Sequence, residues 1–319
     1  MPLPTVPHQR VQRGVASTLR WENVDEDGDL VAAAATVTVA VAKADGTEVV
    51  AAGTATTNPS PGLYTYALGA VATLETLTAT WTVAGGASHR TVVEVCGGFL
   101  CSVAELRAAE TSLADPTKYP AATLAQARLE TEAECEWICD VAFVPRHRRV
   151  AVDGDGTSDL AIPDPHVRQV RSVRIYSAPD SYRAFTAAEL AALQIRSRMI
   201  VRSDGAIFDG GVGNVVVEYE HGYDRPPQDL KRQFMQRTRW WVNQVRSGIP
   251  DRATRFTVAD GGTYALDTAN PYKTGMPDVD AAYGRYSLRA SAAGSGVAPA
   301  SRALNTDPSR GSLFHGGVR

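Results

Sequence analysis

Three aspartates in Asp153-Gly-Asp155-Gly-Thr-Ser-Asp159 have the spacing that opens a calcium loop. Such a loop needs glycine at its sixth position, a bidentate glutamate at its twelfth and a helix before it. Here the sixth and twelfth positions are Ser158 and Asp164, and the preceding residues alternate like a strand. A hairpin turn accounts for the run, and the DEDGD loop at Asp25–Asp29 fails in the same way. Cys96 and Cys101 stand five apart and Cys135 and Cys139 four apart, a loose match to a tetrahedral zinc set. Cys135 and Cys139 also share a helical apolar stripe with Leu124, Ala127, Ile138 and Ala142, so all four cysteines read as core thiols in a reducing compartment. Gly210–Val215 (GGVGNV) lacks the third glycine of a dinucleotide fingerprint and precedes a strand, whereas a phosphate cradle follows one. The six histidines include no i,i+4 pair, and neither a P-loop nor a G-x-S-x-G elbow is present. These patterns point away from an enzyme and imply no catalytic residue, cofactor or metal.

What remains is electrostatic chemistry on a helix. From Pro227, placed for a first helical turn, Leu230, Phe234, Thr238, Trp241 and Val245 recur on one narrow face and predict the buried side. Arg232, Arg239 and Arg246, seven apart, line the opposite face, and Trp240 projects from a flank. A second predicted helix, from Ala121 to Ala142 and ended by Pro145, carries Glu130, Glu132, Glu134, Glu136 and Asp140 on its expected solvent side. The two helices pair within one chain, or acidic and basic faces of neighbouring copies meet head-to-tail in a ring, or the arginines face DNA phosphates without reading bases. The candidate interface residues are Arg232, Arg239, Arg246, Trp240, Glu130, Glu134 and Asp140.

These helices belong to the middle of three regions behind a short basic N-terminal arm, residues 1–14 with Arg10 and Arg13. Residues 15–97 read as an all-β, immunoglobulin-like sandwich. Val37, Val39 and Val41, then Tyr64, Tyr66 and Leu68, then Leu77, Ala79, Trp81 and Val83 alternate with small or polar residues. Turn signals fall between them at Asp27-Gly28, Asp45-Gly46, Pro61-Gly62 and Gly85-Gly86. After a Gly97-Gly98 hinge, residues 99–246 read as a mainly helical domain with a β-hairpin and a small sheet. Ser102 and Glu105 form a capping box, RHRRVAVD and DLAIP a hairpin, and VRQVRSVRIYS, IRSRMIV and NVVVEYEHG further strands. Residues 247–319, rich in Gly, Ser, Ala and Pro, read as an extended tail that orders on partners, making the fold class multidomain α+β.

The 319 residues carry a net charge of −3, so any nucleic-acid role rests on local patches. The opening MPLPTVPHQRVQRG has prolines and polar residues where a secretion signal has an apolar core. No apolar run approaches the roughly 20 residues of a membrane span, so no membrane is expected. The excess of arginine over lysine and the abundance of alanine fit a GC-rich genome.

With these residues in view, roughly residues 100–288 resemble the head–tail adaptor (connector) proteins of long-tailed bacteriophages. The likeness runs through LAQARLETEAECEWICDVAFVPRHRRVAVDG, where a helix ends in aromatic-x-Pro-Arg, and LAIPDPHVRQVRSVRIYS, with Leu-x-x-Pro before Val-x-x-Val. It continues in YEHGYDRPPQDLKRQFMQRTRWWV, with Gly-Tyr, prolines and a helix, and in TGMPDVDAAYGRYS. Order and spacing carry it; no single motif is specific. The resemblance implies a non-enzymatic virion ring, usually twelve-fold, assembled in the host cytoplasm and docked under the portal protein at the capsid vertex. A stopper or tail-terminator protein would bind its other face, and genomic DNA would pass through the channel unread. It also implies that the tail from Phe256 to Arg289, with Tyr264, Tyr272, Tyr283 and Tyr286, orders on the portal. The sandwich and the tail beyond Arg289 lie outside the minimal adaptor. The rival readings are a carbohydrate- or host-surface-binding module using the sandwich, and a DNA-binding regulator.

Overall fold

The computed structural model describes residues 9–244 and 272–288, and the backbone alone of 253–257 and 263–266. In chain order it has strands β1 (Gln9–Gln12), β2 (Ser17–Glu22), β3 (Val37–Lys43), β4 (Glu48–Ala55), β5 (Thr57–Ser60), β6 (Leu63–Leu68), β7 (Glu75–Val83) and β8 (Ser88–Cys96), then helices α1 (Val103–Ala109) and α2 (Ala121–Cys139). There follow β9 (Arg146–Gly154), β10 (Asp159–Ala161), β11 (Val167–Ala178), β12 (Ser181–Ala184), α3 (Ala187–Ala191), β13 (Leu193–Arg196), β14 (Met199–Arg202) and β15 (Gly211–His221). The remaining elements are α4 (Gln228–Gln244), β16 (Ala253–Thr257), β17 (Thr263–Leu266) and α5 (Pro277–Tyr286). The fold is mixed α and β with sheet predominating.

The described residues group into two compact units: the chain up to Leu100 together with Ala142–Pro226, and Cys101–Val141 together with the chain from Pro227. The first is built mainly of strands, with the short helix α3 among them. A five-stranded sheet, ordered β1-β8-β7-β3-β4, and a three-stranded sheet, β2-β6-β5, share one core. The alternation of valines in β3 and of Leu77, Ala79 and Trp81 in β7 turns each apolar set inward, and Trp21 stacks on Trp81 with ring centroids 6.1 Å apart. The glycines of the four sequence turns, Gly28, Gly46, Gly62 and Gly85, all take positive φ. Part of the expected N-terminal arm is a strand: β1 pairs in parallel with β8, and Arg10 points into the unit, while residues 1–8 lie outside the described residues. The backbone of a strand can join an existing sheet edge without strong patterning of its own, which is why QRVQ carried no strand signal.

The second half of this unit is a four-stranded sheet, β12-β11-β15-β9, with a small sheet, β10-β14-β13, beside it. The expected mainly helical domain is thus largely sheet between Arg146 and His221. Its core collects Val173 and Ile175 from β11 and Val215, Val217 and Tyr219 from β15, on alternate positions. The expected hairpin of RHRRVAVD with DLAIP does not form, since β9 pairs with β15 and β10 with β14. The eleven-residue β15 offers β9 a long partner that the three-residue β10 cannot match. The Asp155 carboxylate is used within its own turn, accepting bonds from the backbone N–H and hydroxyl of Thr157.

The second unit is mainly helical, with β16 and β17 as its strands. Ser102 caps α1 reciprocally with Glu105, as its spacing predicts. Helix α2 stops at Cys139, before the expected end, because Asp140 turns left-handed (φ 57°) and its N–H closes on the Glu136 carbonyl. Asp140, a candidate interface residue, is also the C-cap of this helix. Helix α5, expected to order only on a partner, is folded and packs with α2 and α4. Its Val279, Ala282 and Tyr283 recur at helical spacing and are fully buried, so it finds its apolar cover within the chain.

Candidate functional site

The acidic and basic helices singled out by sequence meet within one chain. Arg237 of α4 lies almost fully buried and reaches Glu134 of α2 with two parallel bonds, Nε at 2.8 Å and Nη2 at 2.6 Å. Its guanidinium also lies over the rings of Trp240 and Trp241, at 4.4 and 5.5 Å from their centroids. Trp241, expected in the core, is half-buried instead and donates its indole N–H to Glu130 at 2.6 Å. Near the end of α4 the buried positions are Thr238 and Val242, leaving the indole at the edge where its polar nitrogen finds a carboxylate. Trp240, expected uncovered on a flank, is half-buried beside Arg237.

Sequence reasoning missed Arg237, although the spacing carried the signal. It stands seven residues after Leu230, on the buried stripe, where a charged side chain is rarely found. Glu132 is the counterpart on α2: expected on the solvent side, it is fully buried. It sits three and seven residues before Cys135 and Cys139, on their face of the helix.

The other predicted interface residues fall in different settings. Arg239 bonds to Glu110 at 2.7 Å, so its charge is used within the chain. Arg232 is exposed, and Arg246 lies outside the described residues. Of the predicted portal-facing residues, Phe256 and Tyr264 lie opposite each other in the β16–β17 hairpin, where only the backbone is described. Tyr272 is exposed and stacks on the exposed Trp137 of α2, with centroids 5.0 Å apart and planes 7° from parallel. Tyr283 is fully buried, and Tyr286 donates to Asp229 of α4 at 2.6 Å. Both make contacts within the chain, Tyr283 from the core and Tyr286 from a half-buried position.

All four cysteines are buried as free thiols. Burial, with Glu132 nearby, pushes the Cys101 thiol up to about 12, and burial raises Cys135 well above its ordinary value. Such thiols pack; they do not attack. Among the described residues no three His, Cys, Asp or Glu side chains gather as a metal would require. No described helix is long and apolar enough to cross a membrane.

In the first unit, a second polar constellation joins the two-sheet region to the four-stranded sheet. Glu94 of β8 accepts from Arg10 of β1 at 3.0 Å and faces Arg146 of β9 at 3.3 Å. Burial pushes this carboxyl upward, but Arg146 and Arg10 outweigh it and hold it below its ordinary value. Asp164 accepts two bonds from Arg148, at 2.8 and 3.0 Å, and the Tyr219 hydroxyl. Beside it His221, 3.9 Å away, is pushed down to about 4 by burial. Arg171 continues the seam, bonding Glu220 at 2.9 Å, the Leu74 carbonyl at 2.7 Å and Glu75 at 3.4 Å.

The stretches that carried the sequence resemblance converge here too. Phe143, from aromatic-x-Pro-Arg, stacks on Tyr223 at 5.7 Å, and Tyr223 packs on His166 at 4.5 Å and bonds the Ala142 carbonyl at 3.1 Å. Gly222 has φ 100°, and a Cβ there would run into the carbonyl oxygen of Val144. Across the same turn Gly97 bonds the Pro145 carbonyl at 2.7 Å.

No protein-family model and no curated protein matches this chain. Among solved structures it is similar to a chain from the neck of an empty GTA particle computed with C6 symmetry, 15% identical over 52% of this chain and 78% of that one, with a TM-score of 0.36. A chain from the neck of a native GTA particle computed with C12 symmetry is 15% identical over 58% and 87%, with a TM-score of 0.37. A chain from the virion of a native gene transfer agent particle is 17% identical over 53% and 78%, with a TM-score of 0.35.

Proposed function

We propose that this chain is a structural component of a phage-like particle: a head-to-tail adaptor, working as a ring at the neck rather than as an enzyme. The observation that carries this reading is the meeting of the resemblance motifs in one corner of the fold. Phe143 stands far from Tyr223 and Val144 far from Gly222 in sequence, yet Phe143 stacks on Tyr223, the Val144 backbone lies against Gly222, and Arg146 pairs with His221 where β9 begins and β15 ends. Motifs that jointly build one corner point to a shared architecture more strongly than the same residues scattered. The ring would be about twelve-fold by the resemblance, dock under a portal, receive a stopper or tail-terminator protein, and pass DNA without reading bases.

The site residues take revised roles in this reading. Arg237 and Glu134 fix α4 on α2, and the exposed Arg232 is left to face a neighbouring copy or the DNA channel. The two-sheet region, read as an immunoglobulin-like module, is a collar fixed by the Glu94 and Arg171 contacts. The rival carbohydrate-binding reading needs exposed aromatics on that region. Trp21, Tyr64 and Trp81 lie in its core instead. Negative-stain imaging and light scattering of the purified full chain test the proposal. Closed rings with a central opening are expected, whereas single chains at every concentration would overturn it.

A further inference from the structure

Resting on the ring reading, we infer that one contact of the ring is made by the first unit: the β11–β12 hairpin of one copy receives the Asp25–Asp29 loop of the next. The partner is a second copy of this chain.

The receiving half is a tyrosine pair beside an arginine. β11 pairs with β15 only as far as Ile175, so from Tyr176 onward the hairpin with β12 extends past its sheet. Val173 and Ile175 turn into the core, which sends Arg174 and Tyr176 to the opposite face. There Tyr176 packs on Tyr182 across the strands, with centroids 5.2 Å apart, and the Arg174 guanidinium lies 5.3 Å from the Tyr182 centroid. Tyr182 is 51% exposed. The residues in register with Arg174 on either side are the short Ala184 and Val216. Every other arginine of this sheet pairs with a carboxylate, whereas Arg174 pairs with none among the described residues. Tyrosine and arginine are also among the residue types that carry most binding energy at protein interfaces.

The entering half is an acidic tip on an apolar base. Glu22, Asp25, Glu26, Asp27 and Asp29 are all exposed, and no lysine or arginine occurs between Glu22 and Ala42. The Asp25 carboxylate accepts the backbone N–H groups of Asp27 at 3.1 Å and Asp29 at 2.9 Å, which sets the shape of the loop before it meets a partner. Val24 and Leu30 pair across its base and are 52% and 46% exposed.

The two surfaces match in charge and in apolar character, and each is exposed within its own chain, so they meet only between copies. A contact between two different patches is head-to-tail, the kind that closes a ring. In it the tip carboxylates face Arg174, and Val24 and Leu30 cover the tyrosine rings.

A charge exchange in the full-length chain tests this contact. Arg174→Glu and Asp27→Arg, each alone, should raise the concentration for half-assembly by about tenfold or more in light scattering, with the melting temperature unchanged. Tyr182→Ala, which alters no charge, should weaken assembly in the same way. The chain carrying both charge substitutions should recover its rings, because the exchanged charges again face each other. Rings that form as before from either charge variant would overturn this contact and leave the ring reading intact. Loss in both without recovery in the double variant would mean that the two surfaces bind something other than each other, which overturns the pairing too. Single chains from the unsubstituted protein would overturn the ring reading and this contact with it.

Discussion

Arg237 grips Glu134 through two parallel hydrogen bonds while its guanidinium lies against the faces of Trp240 and Trp241. This is where the basic and acidic helices of the sequence cancel each other within one chain. The arginine ladder on α4 is therefore divided. Arg237 and Arg239 pair within the helical unit, Arg232 is exposed, and Arg246 lies outside the described residues.

Arg237→Met should destabilise the helical unit by about 2–4 kcal/mol, because Glu134 keeps its charge and loses its partner. Adding Glu134→Leu should recover most of that loss. Urea unfolding followed by tryptophan fluorescence, with Trp240 and Trp241 beside the site, reads both effects.

Arg232→Glu and Arg239→Glu should separate assembly from folding. The first changes an exposed charge and should weaken ring formation with little change in melting temperature. The second turns the 2.7 Å pair with Glu110 into a repulsion and should lower the melting temperature. Equal effects of the two on assembly, without loss of stability, would remove Arg239 from its internal role.

His221 sets an acid limit on the first unit. The unfolded chain takes up a proton there near 6.5, the folded chain only near 4. The stabilisation is therefore complete above pH 6.5 and is lost as pH falls through that window, on the order of 3 kcal/mol in all. Glu94 adds a loss at lower pH, since its folded value lies below the 4.5 of the free group. His221→Gln should reduce the dependence between pH 6.5 and 4, with the buried His147, also pushed below its ordinary value, keeping part of it, and should leave the more acidic part, as unfolding measured along a pH series will show.

Gly222→Ala should cost more than about 2 kcal/mol, since the residue combines a positive φ with backbone contact at Val144. Gly213→Ala is the control: its φ is also positive, at 61°, but nothing lies within 4 Å of the added carbon. A smaller loss is expected there, and thermal melts of the two variants compare strain alone with strain plus collision.

Much of this architecture was legible in the sequence wherever one face of an element is buried and the other is wet. The valines of β3, the Leu77–Trp81 alternation of β7 and the Ser102–Glu105 cap are local signals with local consequences. Strand partners were not legible, because β9 pairs with β15 and β1 with β8, each across a long stretch of intervening chain. The same holds for the candidate site. The two complementary helices stood out by charge, but residue type concealed Arg237 and Glu132, whose helical spacing placed them inside. The packing of α5 was foreshadowed by Val279, Ala282 and Tyr283 on one face and obscured by the polar, glycine-rich sequence around them.

Imaging particles assembled without this chain tests the central proposal most directly. The adaptor account predicts heads, filled or leaking, beside separate and complete tails, because the joint between them is missing. Intact tailed particles that fail to attach to cells would contradict it and move the function to the two-sheet region.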